Sequence, residues 1–297
     1  MTRRSHMDRR ALFATGAAAA LLAATGVSAQ ASPQRGGRLR AALSGATRED
    51  LFDSTKVNGL FMQVAMVGTV FDTLTEIAAD GTLRGELATS WMGAEDACSW
   101  VLDLRAGVTF HDGQSFGPED VIASFSLHQQ GLLGDVTQVL PVGPNRVRIE
   151  LSAPDPDFAY RLSDPRLVIY PAGNMAAAMV QGIGTGLYRV RKFQPGRQLL
   201  AQRVEQHYKD GLAGWFDEVE LVALSSDVVR AEALKDHYVD VADLTHTLDL
   251  GDTADLTMLP EEHFMTTAVD PCIALPNMTG SRWPLDNLRA SERWWKA

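Results

Sequence analysis

Residues 87–125 read LATSWMGAEDACSWVLDLRAGVTFHDGQSFGPEDVIASF, and this stretch decides the fold. Trp100, Leu102 and Leu104 alternate with Val101, Asp103 and Arg105, the period-two pattern of a strand with one buried face. The strand stops at Ala106-Gly107. Val108-Thr109-Phe110 resumes a β-prone run, and Asp112-Gly113 supplies the pair that tolerates the positive φ of a tight turn, so a hairpin follows. Past Phe116 come Gly117, Pro118, Glu119 and Asp120. Proline in the first helical turn loses no needed N–H, and two carboxylates face the positive end of the helix dipole. Val121, Ile122 and Phe125 form the stripe that this helix buries.

Working outward, Gly36-Gly37 leads into a strand ending at Leu43, and Phe61–Leu74 carries apolar residues at helical spacing. Met62 and Met66 on that helix read as core filler. Glu76–Leu87 is a hairpin around Asp80-Gly81. Downstream, Val147, Ile149 and Leu151 alternate with Arg146, Arg148 and Glu150, a half-exposed antiparallel strand. Asp155-Pro156 starts a short helix with Phe158 and Leu162, and Arg166–Pro171 returns as a strand. Strands over Leu199–Val204 and Phe216–Leu224, a helix over Asp227–Lys235 and a strand around Val239–Ala242 follow.

The chain holds 37 acidic against 27 basic residues, a formal charge of −10, which makes nucleic acid a poor partner. Cys98 and Cys272 are too few for a disulfide scaffold and lack metal-ligand spacing; they either pair or stand as isolated buried thiols. The seven histidines form no short metal motif, and no Gly-x-Ser-x-Gly elbow is present. His111-Asp112 reads as turn chemistry, Glu119-Asp120 as helix capping and Glu261-Glu262 as a solvated face. The Gly182–Gly186 loop runs on into Tyr188-Arg189-Val190 as β rather than opening a helix, which argues against a dinucleotide fingerprint.

Met1–Ala31 has the form of an export signal: Arg3, Arg4, Arg9 and Arg10 precede an Ala-rich apolar run, with small-residue cleavage near Ala29 or Ala31. Asp8-Arg9-Arg10-Ala11-Leu12-Phe13 resembles a twin-arginine signal, with the general secretory route as the alternative. Loss of residues 1–29 removes four Arg and one Asp and moves the charge from −10 to −13.

Leu87-Ala88-Thr89-Ser90-Trp91, Trp100, Leu104-Arg105, Gly107–Gly113 and Glu119-Asp120-Val121 together resemble the signature of bacterial extracytoplasmic solute-binding proteins of family 5, the dipeptide, oligopeptide and nickel class that feeds ABC importers. Gly184-Thr185-Gly186-Leu187-Tyr188 resembles the family's Gly-Thr-Gly-Pro-Tyr turn, with leucine for proline, and His237 stands where the family has a glycine. The resemblance implies a mixed α/β lobe of the type II (cluster C) periplasmic-binding-protein fold, with the second lobe largely missing. It divides the chain into a signal peptide (1–31), a first lobe with its extra subdomain (32–272), and a hinge strand with the start of a truncated second lobe (273–297). Trp294 and Trp295 would then lack partners, and the exposed surface would favour aggregation. The implied protein is a monomer with no cofactor and no catalytic activity. It works in the periplasm, takes a small peptide or related solute (a nickel complex, oligosaccharide or opine), and meets the membrane only through ABC permease subunits. The implied first-lobe contacts are Ser44 and Gly45, His128 after the central helix, and Asp164 and Arg166. A remnant that binds a partner but no solute, or a secreted hydrolase, is the competing reading.

Overall fold

A computed structural model describes residues 32–57, 59–245, 255–260, 265–280 and 284–297. The export-signal reading of residues 1–31 and the Glu261-Glu262 reading lie outside the described residues. The chain divides into two units, Met1–Pro33 and Gln34–Ala297, and the architecture below is that of the second.

Its strands are β1 (Arg38–Leu43), β2 (Thr75–Ile77), β3 (Leu83–Gly85), β4 (Ala88–Gly93), β5 (Ser99–Leu104), β6 (Val136–Gly143), β7 (Arg146–Leu151), β8 (Tyr188–Gln194), β9 (Gln198–Arg203), β10 (Glu218–Ala223), β11 (Val241–Leu244), β12 (Thr257–Pro260), β13 (Thr266–Val269), β14 (Ile273–Ala274) and β15 (Trp295–Lys296). The helices are α1 (Leu60–Ala65), α2 (Pro118–Ser126), α3 (Phe158–Arg161), α4 (Met175–Gln181), α5 (Asp227–Lys235) and α6 (Pro284–Ala290). A seven-stranded sheet runs β12-β13-β11-β1-β10-β9-β8. Its central strand β1 is parallel to β10 on one side and β11 on the other, and the remaining pairs are antiparallel. Leu39, Ala41 and Leu43 of β1 bury against α1, and this core takes in Phe52, Phe71, Tyr170 and Trp294.

A second sheet, β4-β5-β7-β6, carries the opening stretch of the sequence. Trp100 pairs with Ile149 and Leu102 with Val147, so the alternation read from the sequence becomes one buried face, covered by Val121 and Phe125 of α2. The helix start is built as its residues require. Asp120 Oδ2 accepts from Gly117 N (2.8 Å) and Oδ1 from Ala172 N (2.7 Å), which satisfies an otherwise orphaned donor and ties on the segment ahead of α4. Asp120→Ala is expected to cost roughly 1–2 kcal/mol in urea unfolding; an unchanged midpoint would remove this role.

Three elements differ from the sequence reading. The helix read as far as Leu74 ends at Val70, because Met66–Val70 forms a π turn in which Phe71 N donates to Met66 O (2.8 Å). Phe71 leaves it extended, its ring 5.1 Å from that of Tyr170. Arg166–Pro171 is no strand: Ile169 N bonds to Asp72 O (3.1 Å) and Tyr170 N to Ser124 Oγ (2.9 Å), so the segment is tied singly to both cores rather than laddered. Trp294 and Trp295 do have partners; Trp294 is fully buried in the β1–α1 core, and β15 pairs with β14. Cys98 and Cys272 are both free, and neither is buried. His237 takes the left-handed conformation (φ +56°) that suits the glycine expected at its place. Among the described residues no helix is long and apolar enough to cross a membrane.

Candidate functional site

In an open α/β sheet, ligands collect outside the carboxyl ends of parallel strands where the strand order reverses. The connection β10–α5–β11 passes from one side of β1 to the other, so that point lies at the exit of β1, Ser44-Gly45. Ser44 donates from N to Asp243 Oδ1 (2.8 Å) and from Oγ to Oδ2 (2.6 Å). Buried Arg230 then gathers the neighbouring strand ends: Nε donates to Asp243 O (2.7 Å), Nη1 to Leu224 O (2.5 Å), and Nη2 pairs with Asp227. Burial raises the Asp243 carboxyl above its ordinary range, against the pull of Ser44 and Arg230. Gly45 has φ +80° and packs so tightly on Gly59 that an added Cβ would sit 2.8 Å from the Gly59 Cα. A cavity of about 380 Å³ opens here, lined by Gly45, Thr47, Arg48, Gly196, Leu224 and Ser225 among others.

His128, Asp164 and Arg166 form a separate group. His128 is buried, with Nε2 3.1 Å from Ser54 Oγ. Its imidazole is held below the usual range by burial, with the Asp164 charge opposing. Arg166 grips Asp164 through Nε (2.9 Å) and Nη2 (2.7 Å), so its charge is compensated internally. Asp164 lines another cavity, of about 350 Å³, with Tyr160, Leu285 and Arg289. The five residues read from the sequence thus fall into two clusters. The segment after β1 touches both, through Ser44 and through Ser54. Among the described residues no three or more His, Cys, Asp or Glu side chains gather as a metal site.

What the sequence reading missed is a buried network of charge between the two sheets. Lys209 Nζ lies 2.6 Å from Glu86 Oε1, 3.3 Å from Glu292 Oε1 and 3.6 Å from Asp72 Oδ1. Arg289 pairs with Glu86 and, at 3.6 Å, with Glu76, whose other oxygen is 2.8 Å from Arg293. Burial alone would raise the acids. The neighbouring cations win at two of them, holding Asp72 well below its ordinary value and Glu76 down to about 2. Lys209, whose burial is outweighed by Glu292, Glu86 and Asp72, is held above its ordinary value. These ties fasten α6 and the chain after it to the hairpin β2–β3.

The fold and the strand-end cavity define a lobe of the periplasmic binding-protein kind. The chain belongs to the bacterial extracellular solute-binding proteins, family 5, whose middle-region profile matches residues 82–289. Among solved structures it is similar to the periplasmic binding protein AgaA of A. tumefaciens R10 in complex with agropinic acid (TM-score 0.69, 25% identity, 76% of this chain and 48% of that one). A dipeptide binding protein from Pseudoalteromonas sp. SM9913 in complex with Met-Leu shares the fold (TM-score 0.68, 18% identity, 76% of this chain and 51% of that one). Di/tripeptide-binding protein 1 of Pseudomonas aeruginosa is 26% identical over 212 residues, covering 58% of this chain and 38% of the relative. The chain therefore spans about half the length of these structures and less of that relative.

Proposed function

We propose that this chain is the substrate-binding component of an ABC importer, taking a small peptide or related solute outside the cytoplasmic membrane and presenting it to the permease. The observation that carries the reading is the place of Ser44-Gly45 at the carboxyl end of the central parallel strand, beside a cavity of about 380 Å³, in a chain of this family. The agropinic acid and Met-Leu complexes of similar proteins motivate the ligand panel. Ser44 and Gly45 are proposed as direct contacts. Asp164 and Arg166 stand as a compensated pair beside the second cavity. Buried His128 is proposed to position Ser54 and the loop that carries it rather than to touch solute. Residues 32–272 are read as the first lobe and 273–297 as the hinge strand and first helix beyond it. Residues 1–31 are read as the cleaved export signal.

A thermal-shift screen against di- and tripeptides, opines and nickel chelates tests this, since only ligands that favour the folded form raise its melting temperature. A concentration-dependent rise for one class, lost in Gly45→Val, is the expected result. A cooperative melt that no member of the panel moves would sink the reading.

A further inference from the structure

The geometry points to a second ligand site, for a small carboxylate anion, at the end of the seven-stranded sheet opposite Ser44. Strand β9 is antiparallel to β10 with Gln202 beside Glu218, so the chain leaves β9 at the amino end of β10, whereas Ser44 leaves β1 beside the carboxyl end of that strand. At the β9 exit lies a cavity of about 750 Å³, whose walls include Arg105, Thr109, Thr185, Gln206, Tyr208 and Asp210.

Arg105 is the group that selects the ligand. Its guanidinium lies 4.5 Å from the centre of the Tyr208 ring, and its Nε donates to Glu86 O (2.8 Å). These two contacts fix the plane of the fork while consuming one N–H. Among the described residues neither terminal nitrogen of Arg105 has a hydrogen-bond or ion-pair partner. A planar fork held in place with two open donors suits a carboxylate, which takes two parallel N–H···O bonds. The rest of the wall is compatible with an anion. Asp210, the carboxylate on it, is occupied by Arg203 Nη2 (2.5 Å) and the His207 amide (3.0 Å). Thr185 Oγ1 is committed to Asp72 (3.0 Å), whereas the exposed Thr109 hydroxyl and Gln206 amide make no hydrogen bond among the described residues and remain to donate. Tyr208 is itself stacked on His207, with ring centres 4.2 Å apart, so the platform under Arg105 is rigid. This site does not depend on the importer reading.

The test is calorimetric titration of the full chain with succinate, and separately with inorganic phosphate, at matched ionic strength in chloride. One saturable succinate site is expected, weakened about tenfold or more in Arg105→Gln and less in Arg105→Lys, which keeps the charge but not the fork. Gln206→Ala, on an exposed side chain, is the second variant; it is expected to weaken succinate severalfold at an unchanged melting temperature. Equal affinity in wild type, Arg105→Gln and Gln206→Ala would overturn the site, as would no saturable heat in the millimolar range. Phosphate binding where succinate does not would overturn the carboxylate assignment.

Discussion

Lys209→Met is expected to lower the unfolding free energy by about 3–5 kcal/mol, because the change leaves buried carboxylates without their shared cation. The ammonium sits within 3.6 Å of Glu86, Glu292 and Asp72, and Glu86 and Asp72 are almost wholly removed from water. Methionine fills a similar volume, so the loss is electrostatic rather than a cavity. Lys209→Arg, which restores the charge, should recover much of the stability. The double change Lys209→Met with Glu292→Gln should cost less than the sum of its parts, since it removes one of the stranded charges. Denaturant unfolding of the wild type, Lys209→Met, Lys209→Arg, Glu292→Gln and the double variant decides the matter. A loss under about 1 kcal/mol in Lys209→Met would place the network among pairs that do no net work.

The same network shows where sequence reading stops. The sheet β4-β5-β7-β6 and helix α2 were legible because one period, one turn pair and one capped start each reside within a few residues. The exit of β1 at Ser44 was legible through the family resemblance. Its partner Asp243 was not, since the two are joined by a pairing some 200 residues apart. The cluster around Lys209 draws on Asp72, Glu76, Glu86, Arg289, Glu292 and Arg293, residues from opposite ends of the chain that individually look like ordinary surface charges. The break after Val70 escaped as well, because Phe71 and Leu74 carry the apolar spacing onward as buried residues although the backbone leaves the helix at the π turn. Trp294 looked unpartnered for the reason that hid the Lys209 cluster: its contacts with the β1–α1 core are made by residues from the other end of the chain.

Acid should loosen this protein from the network outward. Asp72 and Glu76 sit below their ordinary values of 3.8 and 4.5 in the folded chain, so they bind protons less readily folded than unfolded. Their stabilisation is therefore complete above those ordinary values and is lost as pH falls toward about 2, where Glu76 takes up its proton in the folded state. For Glu76 alone the shift from 4.5 to about 2 corresponds to roughly 3 kcal/mol. Glu292 works in the opposite sense: burial raises its carboxyl, so falling pH relieves it and trims the net slope. Melting temperatures measured from pH 6 to pH 2 should accordingly fall most steeply below pH 4.5, the ordinary value of Glu76. Glu76→Gln should start lower at neutral pH, because Arg289 and Arg293 lose their partner, and then fall less, converging on the wild type as pH falls through about 2, where Glu76 takes up its proton. Parallel curves would show that Glu76 carries none of the acid sensitivity. A wild-type curve flat through this window would mean that apolar packing of Leu285 and Leu288, and not the ion pairs to these acids, holds α6 in place.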